Sequence, residues 1–279
     1  MTQSPEYHSV DFYPLRRWTG CLKARWRSAN YGRMPQVSRS DVIAAAQMIY
    51  ADAPFGARLL QSLRPYICPF ESLLAHVPAS ASVLDVGCGA GLLLGLIAHF
   101  DPSARGYGFD TSVDAVAAAR HMAKRTEFGT RLRFDTWSAT MEWPQGSYDV
   151  VSMIDVLHHV PPAEHAAVIR TALSRIRPGG LLIYKDMADQ PVWQASWNRL
   201  HDLLLAKQWV HYRSIRDVGQ WVSGAGAESI AEGRIDIGPY AHEFLIAQTD
   251  ATPLRSGAKP ATTAEGTGSS PAQLNYEPI

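Results

Sequence analysis

Several things are scarce in this chain of 279 residues, and each shortage narrows what it does. Neither charge is in excess. The 26 Lys and Arg are balanced by 26 Asp and Glu, so no basic field exists to hold a polyanion, and nucleic acid is not an expected partner. Cys21, Cys68 and Cys88 are odd in number and lack metal-type spacing, which argues against a disulfide framework or a metal site. A reduced, cytoplasmic setting is the expectation. No run reaches the roughly 18 apolar residues needed to span a bilayer. Residues 1–11 are polar, without the charged start and apolar run of an export signal. A soluble protein with no membrane insertion follows as the expectation. No internal repeat is visible.

What is present concentrates in Val83-Leu84-Asp85-Val86-Gly87-Cys88-Gly89-Ala90-Gly91-Leu92-Leu93-Leu94. A small buried strand, 82–86, passes through three alternating glycines into an apolar helix, 91–100. Such a turn lets backbone lie against a ligand and aims the helix N-terminus at it. Asp85, just before the turn, attracts a cationic group and repels phosphate. Downstream, Gly108-Phe109-Asp110-Thr111-Ser112 reads as a second strand ending in an acid, the usual partner of a ribose diol. The spacing Asp85-x-Gly87-x-Gly89-x-Gly91 is one residue tighter than the dinucleotide pattern, which disfavours a nicotinamide enzyme. Cys88 reads as a small turn residue rather than a nucleophile.

The acid-x-Gly-x-Gly-x-Gly turn resembles the first motif of class I S-adenosylmethionine (SAM)-dependent methyltransferases. The likeness continues through Tyr148-Asp149-Val150-Val151 and Arg177-Pro178-Gly179-Gly180, so it covers about residues 80–190. It implies SAM as cofactor, with Gly87, Cys88 and Gly89 against the methionine part, Asp85 near its ammonium and Asp110 on the ribose, followed by Thr111. Gly91 permits close helix packing. On the adenine side the chain departs from the family. Trp137-Ser138 stands where Asp-Ala is usual, with Asp135 two residues earlier. Either Trp137 stacks on the purine while Ser138 bonds its edge, or Asp135 does the usual job.

The fourth strand ends Met153-Ile154-Asp155-Val156-Leu157-His158-His159, and in a doubly wound sheet this end, Ile154 included, lines the ligand crevice. The Asp/Asn-Pro-Pro-aromatic motif of nucleic-acid amino methyltransferases is absent. Leu-His-His is similar to small-molecule C- and O-methyltransferases, and a histidine has the right pKa range to take a proton from the acceptor. His159 is the favoured base, oriented by Asp155 four positions earlier if the segment is helical. His158 is the second candidate. Lys185-Asp186, at the next strand tip, is expected to face the same cleft, with Asp186 a substrate contact. Tyr31 and Arg33, in an aromatic and basic N-terminal arm, are expected over the active site, and Tyr66 in its wall.

The alternation of strands (82–86, 106–110, 132–136, 148–154, 180–186) with helices (91–100, 113–126, 165–176) predicts an α/β, doubly wound, mostly parallel sheet with helices on both faces. A hairpin of 229–237 with 243–248 completes seven strands, the last reversed. Helices are also expected over 42–50 (capped by Ser40-Asp41), 55–63, 70–76, 193–209 and 215–224. Residues 1–78 are expected to form the arm and helical lid, 79–249 the SAM-binding domain, and 250–279 a disordered tail poor in large apolar groups. The expected function is O- or C-methylation of a small molecule, in a possible homodimer. The alternatives are a SAM enzyme that cyclises the cofactor and releases methylthioadenosine, and a non-catalytic SAM-binding partner protein.

Overall fold

The computed structural model describes residues 32–188, 212–238 and 240–251. Three helices lead, α1 (Arg39–Ile49), α2 (Phe55–Ile67) and α3 (Phe70–Leu74). The sheet then begins with β1 (Ser82–Val86), α4 (Leu92–Phe100), β2 (Arg105–Asp110), α5 (Val113–Arg125) and β3 (Leu132–Thr136). It continues with β4 (Tyr148–Ile154), a 3₁₀ turn (Leu157–His159), α6 (His165–Ser174) and β5 (Ile176–Met187). Helix α7 (Ile215–Gly224) precedes β6 (Ala227–Ile237) and β7 (Tyr240–Thr249). Residues 1–31 of the expected arm, the helix over 193–209 and nearly all of the tail lie outside the described residues.

The seven strands form one sheet in the order β3-β2-β1-β4-β5-β7-β6. Strands β1 to β5 are parallel, and β7 runs antiparallel between β5 and β6. The expected architecture is the observed one. Alternation in the strands builds the two layers beneath the helices. Val83, Leu181 and Ile183 face one core with Phe70, Leu94 and Ile97, whereas Leu84, Leu182 and Tyr184 face another with Ile169 and Val218. Each such large aliphatic side chain, fully buried, contributes about 1.5–3 kcal/mol. Val42, Ala46 and Leu74 of the leading helices belong to the first of these cores.

The strand ends are tied by polar contacts. Asp149 accepts from the Ser82 amide (2.8 Å) and hydroxyl (2.7 Å) and from Arg177 (3.0 Å), joining β1, β4 and β5 at their starts. The strand order reverses between β1 and β4, so the crevice beyond their C-terminal ends is where this fold takes a ligand.

Some boundaries differ from expectation. Ser38, not Ser40, caps α1, in a reciprocal capping box with Asp41. Helix α2 does not stop at Leu63 but runs to Ile67 with Pro65 inside it. Proline disrupts a helix through its missing N–H and its clash with the carbonyl four residues back; here it falls in the last turn, which Cys68 closes by donating to Arg64 O at 2.9 Å. The run Arg177-Pro178-Gly179-Gly180 does not form a turn ahead of β5. It is an irregular stretch within the strand, where pairing with β4 jumps from Tyr148–Ile176 to Val150–Leu181.

Candidate active site

A cleft of ≈ 790 Å³ opens over the C-terminal ends of β1 and β4. Its floor is the glycine turn. Gly87, Gly89 and Gly91 all have positive φ (66°, 54° and 84°), a conformation that L side chains rarely adopt. The three differ in what stands over them. A Cβ on Gly87 would meet Val156 Cγ2 at 2.4 Å, and one on Gly91 would meet the Phe134 ring at 2.8 Å. A Cβ on Gly89 would meet nothing within 4 Å. The first and third glycines are therefore needed for internal packing, and the middle one leaves bare backbone open to the cleft. The turn is fixed from below, as Cys88 donates its amide to Phe109 O (3.0 Å) and the buried Tyr50 hydroxyl donates to Ala90 O (2.6 Å).

Two acids flank this floor. Asp110, at the end of β2, accepts from the Gly89 amide (2.9 Å) and the Ser112 amide (2.8 Å), so it is held rigidly at the edge of the turn. Asp85 lies in the wall, buried, and accepts from the Ser152 hydroxyl at 2.7 Å. Burial pushes its pKa up to about 7, with the Ser152 bond opposing and the Asp110 charge adding to the rise. A cation placed in the cleft would bring it back down. The Cys88 thiol is pushed well above the ordinary range by burial and by both acids, which makes it inert as a nucleophile. Thr111 and Ile154 also line the cleft.

The loop after β3 supplies the opposite side. Trp137 lies on the cleft wall, its amide donating to Asp110 O (2.9 Å) and its indole N–H to Glu142 O (2.9 Å), with Ser138 beside it. Asp135 is not there. Its carboxylate is occupied by Tyr107 (3.0 Å), Arg120 (2.9 Å) and Arg133 (3.2 Å) on the outside of the sheet edge. Of the two adenine-side alternatives, the geometry is compatible with Trp137 and Ser138.

The β4 end corrects the sequence reading. Asp155 has φ 57°, and the residues after it form a 3₁₀ turn, so Asp155 and His159 do not share a helical face. Asp155 instead accepts from the fully buried Lys185 (2.6 Å) and from Arg64 (3.4 Å). This pair of cations holds its pKa far below the usual range, against the opposing effect of burial. Lys185 therefore does not face the cleft. The carboxylate aimed at a histidine is Asp186, which is hydrogen-bonded to His158 Nδ1. His158 is buried, with Tyr212 edge-on at 5.3 Å, while His159, its ring 4.1 Å away, lines the cleft. Asp186 is itself buried and serves His158 rather than the cleft wall.

Of the expected substrate contacts, Tyr66 points outward and is 48% exposed. Arg33 bridges to Pro78 ahead of β1, at the end of the strand opposite the glycine turn. Tyr31 lies outside the described residues. In their place α2 contributes Gln61 and Arg64 to the wall, which sequence reasoning missed because only the tertiary fold brings Arg64 within reach of Asp155, 91 positions on.

A family model described as a methyltransferase domain matches residues 59–232 of this sequence. The chain belongs to that family. Among relatives of this methyltransferase domain is the ubiquinone biosynthesis O-methyltransferase of Xanthomonas axonopodis pv. citri, 30% identical over 154 residues, which are 55% of this chain and 62% of that protein. The trans-aconitate 2-methyltransferase of Streptomyces avermitilis is 35% identical over 121 residues, 42% of this chain and 44% of the relative. The match thus spans at most about three fifths of either relative's length. Among solved structures, the magnesium protoporphyrin IX methyltransferase of Synechocystis PCC 6803 superposes with a TM-score of 0.55 at 23% identity, covering 76% of this chain and 96% of that one. At that identity the likeness establishes the fold of the methyltransferase domain. Among the described residues no helix is long and apolar enough to cross a membrane, and no cluster of metal-binding side chains is found.

Proposed function

We propose that this protein transfers a methyl group from SAM to an oxygen or carbon of a small-molecule acceptor. The observation that carries the reading is the glycine turn, which leaves bare backbone at Gly89 between two carboxylates of different character, at the switch point of the sheet. That cradle fits the cofactor: Asp110 suits a ribose diol, Asp85 a cationic amino group, and Trp137 offers a face for a planar base. When bound, SAM supplies an electrophilic methyl on a sulfonium.

The chain's own contribution is to hold, align and deprotonate. Burial of Asp85 beside Asp110 disfavours two charges there, so a cationic ligand group is selected over an anion. Alignment of reactants away from water supplies several kcal/mol, about 7–11 in the best cases. His159 stands on the cleft wall, where it can take the acceptor's proton. His158, locked on Asp186, backs the His159 ring and fixes its direction. The relatives' names support a small-molecule acceptor, and a cytoplasmic setting without nucleic acid completes the reading.

The test is incubation with labelled SAM and cell extract, followed by analysis of products. S-adenosylhomocysteine with a labelled acceptor is expected. Methylthioadenosine or no turnover would replace the proposal with cofactor cyclisation or simple binding. Asp110→Ala should weaken SAM binding about tenfold or more, the loss of charged hydrogen bonds worth about 1.5–3 kcal/mol. Wild-type affinity in a folded variant would remove Asp110 from the site.

A further inference from the structure

We infer that Gln61 and Arg64 of α2 form a carboxylate-binding subsite in the wall of the cleft. The inference rests on the methyl-transfer reading and extends it to a part of the ligand that neither Asp85 nor Asp110 serves. The two residues are three positions apart on one helix, so they share a face, and both line the cleft. Gln61 is 5% exposed, and among the described residues its side-chain amide has no hydrogen-bond partner. Buried polar side chains are nearly always paired, so an unpaired amide at a cleft wall marks the place of a ligand. Among the described residues, Arg64 is the one lysine or arginine in the lining. Its single polar contact there runs from one Nη to Asp155 at 3.4 Å, which leaves Nε and the other Nη for a ligand.

The charge around Arg64 identifies that ligand group. Asp155 is already met by Lys185 Nζ at 2.6 Å, so two cations share one carboxylate and one positive charge is left over. Arg64 is the one that presents it to the cleft, since its side chain is 34% exposed and that of Lys185 0%. His242, beside the same groups, is kept neutral by burial and then by the Lys185 charge. Asp41, Asp52 and Glu71, the other acids of the leading helices and their links, do not line the cleft. A dianion such as phosphate would be repelled by Asp85, Asp110 and Asp155 around the cleft, whereas a monoanion matches the one charge to spare. The planar fork of an arginine fits the two oxygens of a carboxylate, and the Gln61 amide can donate to one of them. Burial dominates the pKa of Asp85, yet the Arg64 charge also acts on it, so the two lie within electrostatic reach of each other. A ligand with an amino group and a carboxylate close together is therefore held at both. Two sources supply such a carboxylate, the amino-acid head of SAM and an acidic acceptor, and binding measurements separate them.

The experiment is titration calorimetry of the full-length protein with S-adenosylhomocysteine and with its decarboxylated analogue, which keeps the adenosine, the thioether and the amine. If the cofactor supplies the carboxylate, wild type should prefer S-adenosylhomocysteine. Arg64→Gln should then lower that affinity about tenfold or more while leaving the analogue within about twofold. Arg64→Lys should recover part of the loss, and Gln61→Leu, which does not touch Asp155, should lose less in the same direction. If the acceptor supplies it, both ligands should bind wild type and variants alike. The products labelled from SAM and cell extract should then be carboxylic acids retained on an anion exchanger, and Arg64→Gln should raise the KM for them more than it lowers kcat. Melting without ligand should hardly move in Arg64→Gln, because Asp155 keeps Lys185. Equal losses for S-adenosylhomocysteine and the analogue would make Arg64 a structural partner of Asp155 and overturn the subsite. Unchanged binding of both ligands together with uncharged labelled products, or none, would overturn it as well. A wild type that binds neither ligand would instead bring down the methyl-transfer reading, and the subsite with it.

Discussion

Asp85 is a carboxyl whose proton is held to about pH 7 by burial, and the cleft opens beside it. A cationic ligand group stabilises the ionised form, so binding must expel that proton whenever it is present. SAM affinity should therefore rise as pH increases through about 7 and level off above it. Calorimetry in buffers of different ionisation enthalpy should show up to one proton released per ligand near pH 6; no release, with flat affinity from pH 6 to 8, would separate Asp85 from the ligand's cation. On the proposed reading the histidines divide in the same way between contact and support. His159→Ala should lower turnover about 10²–10⁴-fold with SAM affinity nearly intact, as loss of a general base does. His158→Ala should act through the direction of its neighbour, and Asp186→Asn should resemble it more than it resembles His159→Ala. If His158→Ala proves the more damaging of the two and retains SAM affinity, the roles are reversed.

At the scale of the element, the glycine turn shows why three glycines recur at alternate positions. Gly87→Ala forces a Cβ to within 2.4 Å of Val156 and keeps a positive φ, so it should cost about 2–4 kcal/mol from strain and overpacking together. Thermal unfolding should show a drop of several degrees even without ligand. Gly89→Ala also keeps a positive φ and carries that strain, about 1–2 kcal/mol, but with open space above it there is no overpacking, so it should lose less stability than Gly87→Ala and harm binding more. Equal melting losses in the two variants would refute this division of labour.

The turn was legible in the sequence because its requirements are local: a strand, positive φ and a helix start all fall within ten residues. So were β1 to β5, whose short apolar runs alternate with helical periods. The α2 boundary was not, because a proline in a final turn looks from the sequence like a helix stop. The β4 end was misread for a related reason. Asp155 and His159 have helical spacing, yet a positive φ at Asp155 and its ion pair with Lys185 of the neighbouring strand override it. The loop at Trp137 and the wall residues Gln61 and Arg64 depend on distant contacts, and spacing carries no trace of those.

For the whole molecule, stability at acid pH rests on buried groups that titrate in opposite senses. His242, on β7, is buried, and among the described residues neither ring nitrogen has a partner in strict hydrogen-bonding geometry. Burial, and then the charge of Lys185, lowers its pKa to about 3, while Asp155 and the nearby Ile67 backbone pull the other way. The unfolded chain binds a proton at that site near pH 6.5, so its contribution is intact above that value and falls as pH drops toward 3. Asp85 has the opposite sign. Its folded pKa exceeds the unfolded value near 4, so its contribution is intact below about 4 and is lost as pH rises toward 7. Between about pH 4 and 6.5 the two slopes, each about 1.4 kcal/mol per pH unit, oppose one another. Below about 4, Asp155 joins His242 in losing stability. Replacing His242 by Gln should remove one slope, so that the variant gains on the wild type as pH falls from 6.5 to 4. Urea unfolding at a series of pH values measures this, and parallel curves for the two proteins would mean that His242 does not titrate as described.

The position of β7 between β5 and β6 also governs the order in which the molecule can be completed. β6 leaves the ribosome before β7, yet among the described strands β7 is its only neighbour in the sheet. The nascent chain can assemble its parallel strands while β5 still has a bare flank, and Leu181, Leu182 and Ile183 wait there for partners encoded more than sixty residues later. The β6–β7 hairpin is the local step and its docking on β5 is the distant one, so closing this flank is expected to be the slower event. Until it occurs, the unpaired flank of β5 is the place where two unfinished copies would join. Synthesis of the last strand is therefore what protects the growing protein from itself.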